Sequence, residues 1–502
     1  MFVRTYGAAS RGVDVLPVSV ELRSGRGIQF HVAGMTGSLA RDAFLRIRGA
    51  LQAEGWGWPR QALTISLSPG HASLHPADLD LPLALVVLAQ IGVLSPTHIA
   101  SVCSVGSLGL DGTLRGHPSS ANASIAAHDA GCTSTLVPAD ILHASSGSRM
   151  ECPLHGAHSL REVVDHLTGK RALPRWLPRA HGQPVEPEVP FESLHLSEHA
   201  LTGLLLAAAG EHHVLFLGSP GTGKSTAARA LHGILPLLNK TEAQTTRRLH
   251  AAKGIIRNEP LHPPMRTPHS GSGAAALIGS QASGRYSTDG AVAFLPGELS
   301  LAHRGLLLLD ELPEWSRPAI EALRVPLEQG VVDLARAAGT TQLPAQCLVA
   351  ATANPCPCGY FLDSERRCRC TPAQVRNYLK RLSGPLVDRF PIHLETVTDG
   401  EAASTMTTAE ARERVMEARK CLTVEAAWEA EARNRLDLGV ERWRFSGRAR
   451  VALLGVARTH AALHQRGVVR AEDVDAALGY RVFDRAGWLE AAWDPQRPKH
   501  RR

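Results

Sequence analysis

Val214-Leu215-Phe216-Leu217-Gly218-Ser219-Pro220-Gly221-Thr222-Gly223-Lys224-Ser225 is the stretch on which the reading of this chain turns. Its first four residues are an unbroken apolar run, as a buried parallel strand requires. The next eight match GxxxxGK[ST] in full, and Ala227, Ala228, Ala230 and Leu231 continue at helical spacing. Strand, glycine-rich turn and helix in that order make a cradle for phosphate. Gly218, Gly221 and Gly223 let successive backbone N–H groups turn inward without Cβ clashes, and the helix N-terminus adds its positive dipole end. Lys224 is placed to reach the β- and γ-phosphates of ATP, and the Ser225 hydroxyl to ligate Mg2+. Ser219, Pro220, Thr222 and Thr226 complete the ATP-binding set.

About 85 residues on, Leu306-Leu307-Leu308-Leu309 is a second buried strand, ending in Asp310-Glu311. Carboxylates at the C-terminal end of a parallel strand stand where open α/β sheets place their ligands. Asp310 is the candidate for the Mg2+ shell, and Glu311 for orienting or deprotonating the attacking water. A third apolar run, Cys347–Ala353, ends at Asn354. Its amide either holds that water and senses the γ-phosphate, or simply forms a turn before Pro355.

The chain has 502 residues, more than one hydrophobic core accommodates, so two to four domains are expected. Lys+Arg 54 against Asp+Glu 47 gives +7, too small an excess at this length to decide for nucleic acid. No apolar run reaches the ~18 residues of a membrane span; Leu81–Val93 and Leu201–Ala209 read as buried helices. The N-terminus lacks a signal peptide's pattern, so a cytoplasmic protein without membrane contact is the expectation. Nine cysteines then read as thiols or metal ligands rather than disulfides. Four of them form two CxC pairs, Cys356/Cys358 and Cys368/Cys370. They are either a tetrahedral structural Zn2+ site bracing the loop after Asn354, or unliganded thiols.

Residues 1–170 read as mixed α/β. Val13/Val15, Val18/Val20/Leu22, Ile28/Phe30/Val32 and Leu63/Ile65/Leu67 alternate as strands. Ser38 is placed to cap a helix carrying Ala43, Ile47, Ala50 and Leu51, with a further helix over Leu81–Gln90. Residues 171–190 hold prolines at 174, 178, 184, 187 and 190 and read as a linker. An α/β core follows over 191–395. A helical region over 396–490 includes Arg448–Leu463, and a basic tail spans 491–502.

Pro296-Gly297-Glu298-Leu299-Ser300-Leu301-Ala302-His303-Arg304-Gly305, running into Leu306–Glu311 and Leu312-Pro313-Glu314, resembles the magnesium-chelatase-like AAA+ ATPases of the competence type, the ComM family. So do Arg266-Thr267-Pro268-His269-Ser270, Leu323–Gly330, Asn354–Tyr360 and Ser383–Arg389. The resemblance covers nearly the whole chain. It implies an α/β fold class: a Lon-protease-like N-terminal α/β domain, an AAA+ P-loop core and a C-terminal helical lid. It also implies a homo-hexameric ring with ATP bound between subunits. Arg389 matches the family's arginine finger, offered to the next subunit. Arg448 matches a sensor arginine acting in cis from the lid, with Arg450 as the alternative. Leu196-Ser197-Glu198-His199 replaces the family's Gly-Gln turn near the adenine pocket. The N-terminal resemblance rests on Val105–Arg115 and Ala126–Gly131. No lysine precedes Lys170, and Asp78 stands where a Lon-type protease has its serine, so proteolysis is not expected.

Two function classes follow from the resemblance. One is a DNA motor acting on branched or single-stranded recombination intermediates, a helicase or branch-migration enzyme of natural transformation. The other is the ATPase subunit of a metal chelatase, remodelling a protein partner. Candidate DNA contacts are Arg266, His269, Arg304, Arg324, Arg412, Arg414 and Arg419, each of which also reads as a solvated surface charge.

Overall fold

Alternating residues make half-buried strands, and continuous apolar runs make strands covered on both faces; among the described residues the two largest sheets, of seven and five strands, are built from these two patterns. The computed structural model describes residues 2–11, 14–35, 37–69, 76–117, 122–145, 152–176, 186–255, 257, 261–281, 294–336, 339–361, 363, 366–382, 384–396 and 404–483. The tail 491–502, residues 177–185 of the proline-rich stretch, 484–490 and Ser383 lie outside the described residues.

In the N-terminal block, β1 (Phe2–Arg11) pairs antiparallel with β2 (Asp14–Gly25) along its whole length. Next come β3 (Phe30–Ala33), β4 (Ala62–Ser68), β5 (Val102–Ser104), β6 (Ser134–Pro138) and β7 (Leu154–Ala157). They form a mixed sheet in the order β3-β4-β2-β1-β5-β6-β7. Helix α1 (Gly37–Ala53) buries Ala43, Ile47, Ala50 and Leu51, the stripe its spacing announces. Helix α2 (Asp80–Gln90) is buried on every side. Its one carboxylate, Asp80, is held by both arms of Arg46 at 2.6 and 2.9 Å and by the Leu108 N–H at 3.1 Å. A buried charge persists only when paired in this way.

Three local expectations need correction. Ser38 lies inside the first turn of α1 instead of capping it. Ile28 is 89% exposed, because the strand begins only at Phe30. Val15 and Val18/Val20/Leu22 share one strand, β2, which runs unbroken from Asp14 through Pro17 to Gly25, while Val13 lies outside the described residues.

The second sheet is parallel throughout. Its strands are β8 (Val214–Gly218), β9 (Met265–Arg266), β10 (Leu306–Leu309), β11 (Leu348–Ala353) and β12 (Ile392–Thr396), in the order β9-β10-β11-β8-β12. Strands β8, β10 and β11 each serve two cores. Val214, Phe216, Leu306, Leu308 and Ala350 face one apolar cluster, while Leu215, Leu217, Leu307, Leu309 and Ala351 face the other. Period-two alternation between two buried faces is why these stretches read as unbroken apolar runs. The first cluster also takes in α3 (Glu198–Gly210) and α4 (Lys224–Gly233). To it the C-terminal helices α6 (Thr408–Leu422), α7 (Ala430–Trp443), α8 (Gly447–Leu463) and α9 (Ala471–Gly479) add Ala411, Leu436, Leu453 and Val474. A further helix, α5 (Pro372–Leu379), leads into the last strand. Among the described residues no helix is long and apolar enough to cross a membrane.

Four histidines are held neutral around this sheet: His250 and His303 are buried, His212 and His213 partly so. Burial lowers His212, His213, His250 and His303 to about 4. His213 Nδ1 accepts the Val349 N–H at 3.1 Å, a bond that protonation would abolish. Their unfolded-state value is near 6.5, so between pH 6.5 and 4 the unfolded chain binds protons that the native chain refuses. Stability is therefore expected to be full above pH 6.5 and to fall as pH drops through that window. Each histidine costs up to about 1.4 kcal/mol per pH unit. Urea midpoints measured at pH 7 and pH 5 test this, and His213→Gln should flatten the dependence. An unchanged midpoint would show that these rings are protonated in the fold.

Candidate active site

Strand β8 lies at the point where the strand order reverses, with β11 on one side and β12 on the other. The chain leaves β8 at Gly218, where a Cβ would come within 2.3 Å of Thr396 Oγ1 and 2.4 Å of its carbonyl oxygen. Only glycine allows β8 and β12 to approach so closely. Gly221 and Gly223 take φ of +85° and +82°, which turns the loop back onto the N-terminus of α4. Thr222 Oγ1 donates to Ser219 O at 2.8 Å and lies 2.7 Å from Thr396 Oγ1, pinning the loop from below. Ser219 and Thr222 are buried.

Lys224 reaches back into this loop. Its Nζ donates to Gly218 O and Ser219 O, both at 2.7 Å. Burial lowers its pKa to about 8, against the raising influence of Asp310 and Glu311. A desolvated ammonium at the N-terminus of α4 fits an anionic phosphate, whose arrival would raise its pKa again. The Ser225 hydroxyl donates to Asp310 Oδ1 at 3.0 Å, so the two candidate Mg2+ ligands already meet. Donor set and cradle therefore fit Mg·ATP.

Thr352 is the residue the sequence reading passed over. It is 1% exposed near the end of β11, where Ala351 pairs with Leu309 and so sets it beside Asp310. Its hydroxyl donates to Asp310 Oδ1 and accepts the Glu311 N–H at 2.9 Å. One side chain thus fixes both carboxylate residues. Glu311 takes φ +50°, and the Trp315 indole donates to Asp310 O at 2.9 Å. Asp310 and Glu311 are both exposed. Asn354 follows β11, and its backbone is hydrogen-bonded to the buried Tyr378 side chain of α5.

Arg389 is not part of this cluster. Strand β12 lies in register with β8, Ile392 beside Val214 and Thr396 beside Gly218. Thr396 is at the phosphate end, and the strand from Thr396 back to Ile392 spans about 13 Å. Arg389 precedes Ile392, so it sits at the opposite edge of the sheet. There its Nε donates to Arg324 O at 2.6 Å, Nη1 donates to Pro385 O, and Nη2 pairs with Glu328 Oε2 at 2.9 Å. Arg448 Nη2 lies 3.4 Å from the same Glu328 oxygen. Arg448 thus shares its carboxylate acceptor with Arg389. Arg450, the alternative, is held by Asp437 at 2.7 Å.

Most of the candidate DNA contacts are engaged within the chain. Arg266 clamps Glu298 through two bonds at 2.6 and 3.0 Å. Arg304 pairs with Glu211 and Glu242, Arg324 with Glu321, and Arg419 with Glu211. Arg412 donates to Gly233 O, and His269 Nδ1 accepts the Gly271 N–H. Arg414 is exposed.

The cysteines converge. Sγ–Sγ distances are 3.4 Å for Cys356–Cys358, 3.7 Å for Cys356–Cys368 and 3.6 Å for Cys358–Cys368, and Cys370 lies within 4.8 Å of all three. His460, His464 and Asp473 also gather in the lid. Asp473 Oδ1 already accepts from His460 and from Arg466 at 2.6 Å, and that guanidinium opposes a cation there.

Residues 191–404 match the family model for magnesium chelatase, subunit ChlI, and residues 18–141 match the model for subunit ChlI of Mg-chelatase. The competence protein ComM of Haemophilus influenzae is 32% identical, over 96% of this chain and 97% of its own length. The uncharacterized protein YifB of Escherichia coli is 31% identical, over 95% of this chain and 96% of its own. The magnesium-chelatase 38 kDa subunit of Rhodobacter capsulatus is 28% identical over 37% of this chain and 55% of its own.

Proposed function

This chain belongs to the magnesium-chelatase-like ComM family of AAA+ ATPases, and from that premise we propose a homo-hexameric ring motor that translocates or branch-migrates DNA. In this reading residues 1–170 form an N-terminal module, 191–395 the motor core and 396–490 the lid. Each ATP is seated on one subunit's phosphate loop, through the amides of Gly218–Thr226 and the Lys224 ammonium. Mg2+ held by Ser225 and Asp310 would neutralise phosphate charge. Glu311 orients or deprotonates the attacking water, and Asn354 holds that water or senses the γ-phosphate. Arg389 of the neighbouring subunit completes the site, and Arg448 serves as a sensor arginine in cis from the lid. The observation that carries the ring is the placement of Arg389: in its own subunit it stands across the sheet from the phosphate loop. The four cysteines are the ligands of a zinc clip on the loop after Asn354.

Thr352→Val keeps the side chain's shape while removing the bond to Asp310 and leaving the Glu311 N–H unsatisfied. A lost hydrogen bond to a charged group costs about 1.5–3 kcal/mol, so turnover is expected to fall about 10- to 100-fold with little change in KM. Steady-state ATPase assays check this, and a raised KM at constant kcat would assign Thr352 to binding instead.

For the DNA reading, Arg317, Arg324, Lys380 and Arg381 line an open cleft of about 570 Å³ beside Trp315, together with Glu314 and Glu321, which pair with Arg381 and with Arg317 and Arg324. The similarity to ComM also runs the full length of the chain, whereas the chelatase subunit matches little more than a third of it. Transformation is the setting the relative's name suggests. Stimulation of ATPase by branched or single-stranded DNA, weakening steeply with salt, is the expected result. A flat response to both DNAs would turn the reading toward the second class, a chelatase-type remodeller of a protein partner.

A further inference from the structure

We propose that the four-cysteine cluster, loaded with zinc, sets the affinity of the nucleotide pocket by holding the Cys356–Gly359 turn against Pro220 of the phosphate loop. The proposal rests on the ATP-site reading above, in which that loop seats the phosphates.

A tetrahedral site with Zn–S bonds of about 2.3 Å requires sulfurs about 3.8 Å apart. The measured separations of 3.4, 3.7 and 3.6 Å are close to this and far from the ~2.05 Å of a disulfide. Backbone donors are aimed at the sulfurs: the Cys370 N–H donates to Cys368 Sγ at 3.4 Å, and the N–H groups of Tyr360 and Arg369 to Cys358. Such outer bonds orient thiolates toward a metal.

The cluster touches the phosphate loop directly. The Gly359 N–H closes a turn on Cys356 O at 2.9 Å, and Gly359 takes φ +86°. A Cβ on Gly359 would lie 2.5 Å from both Cδ and Cγ of Pro220, so backbone packs on the proline ring with no room for a side chain. At one end the cluster begins two residues after Asn354. At the other, Cys370 leads into Thr371, which caps α5 with Gln374 in a capping box. Helix α5 then returns Tyr378 to the Asn354 backbone. Zinc would close this circuit, displacing thiol protons to solvent. Without it the two CxC arms keep only weaker links, such as Arg366 Nη1 donating to the Tyr360 hydroxyl at 2.9 Å, and the turn's purchase on Pro220 loosens. Because coupling is reciprocal, nucleotide must tighten zinc by the factor by which zinc tightens nucleotide.

The test uses the full chain under reducing conditions. Elemental analysis should give one zinc per chain. Chelation should weaken binding of mant-ATP about tenfold or more, within the roughly 5–150-fold range of coupled sites, and zinc add-back should restore it. Gly359→Ala provides a second route that leaves the thiols intact. It should keep one zinc per chain and bind mant-ATP more weakly by a similar factor, with its circular dichroism unchanged. The proposal is overturned by absence of zinc, by iron in its place, or by zinc-free and Gly359→Ala proteins that bind mant-ATP as tightly as the native chain. Zinc-loaded native protein that binds no mant-ATP would overturn the nucleotide-site reading and the proposal together, whereas loss of the linkage alone leaves that reading standing.

Discussion

Replacing Arg389 with Ala is expected to lower ATP turnover by about 10³–10⁵-fold while leaving ATP binding in place. The guanidinium stands across the sheet from its own phosphate loop, so its deletion removes nothing from that loop's binding surface. In the proposed ring, what it removes is charge offered to the neighbour's site, where a planar fork would neutralise the transition state far better than it aids ground-state binding. Arg389→Lys keeps the charge but not the fork, and should restore little. Arg389 also bonds Arg324 O, Pro385 O and Glu328, so a structural role has to be measured alongside. Melting temperature and ring mass should stay near native values while turnover collapses. A loss of turnover that tracks a fallen melting temperature would assign Arg389 to the fold.

Glu311→Gln is expected to bind ATP as the native chain does and to hydrolyse it about 10²–10⁴-fold more slowly. The amide is isosteric, and the backbone N–H that anchors residue 311 to Thr352 is unaltered, so only proton acceptance is lost. Asp310, held by Ser225 and Thr352, remains for the metal. Single-turnover phosphate release separates this from slowed product loss. Undiminished hydrolysis would remove Glu311 from the reaction.

The phosphate loop and the two carboxylates were legible because each needs only a local pattern: an apolar run, a bend, and polar residues at the strand's end. Thr352 was harder to see. It is one hydroxyl in an apolar strand, and its significance appears only when β10 and β11 pair and set it beside Asp310. Strand β1 escaped because its buried face, Val3, Thr5, Gly7 and Ala9, includes Thr5 and Gly7, which do not read as core. Thr5 is buried because its hydroxyl bonds Ile99 O and Val102 O at 3.0 and 3.1 Å. Gly7 is required because a Cβ there would meet Leu79 at 2.8 Å. The placement of Arg448 depends on how the lid folds against Glu328, a contact between distant stretches that no motif encodes. The cysteine spacing allowed either a metal or free thiols, and only the fold shows that the four sulfurs gather within 4.8 Å of one another, as a metal site would need.

The sharing of one ATP site between two subunits is tested most directly by mixing Arg389→Ala with Glu311→Gln. Each variant alone should be nearly inactive. In a mixed ring, an Arg389→Ala subunit supplies an intact phosphate loop and Glu311, and an adjoining Glu311→Gln subunit supplies Arg389. Turnover should therefore reappear on mixing, rise to a maximum near equal proportions, and vanish when subunits cannot exchange. Activity that remains the plain sum of the two inactive proteins, in rings shown by mass to be mixed, would contradict a site completed by the neighbour.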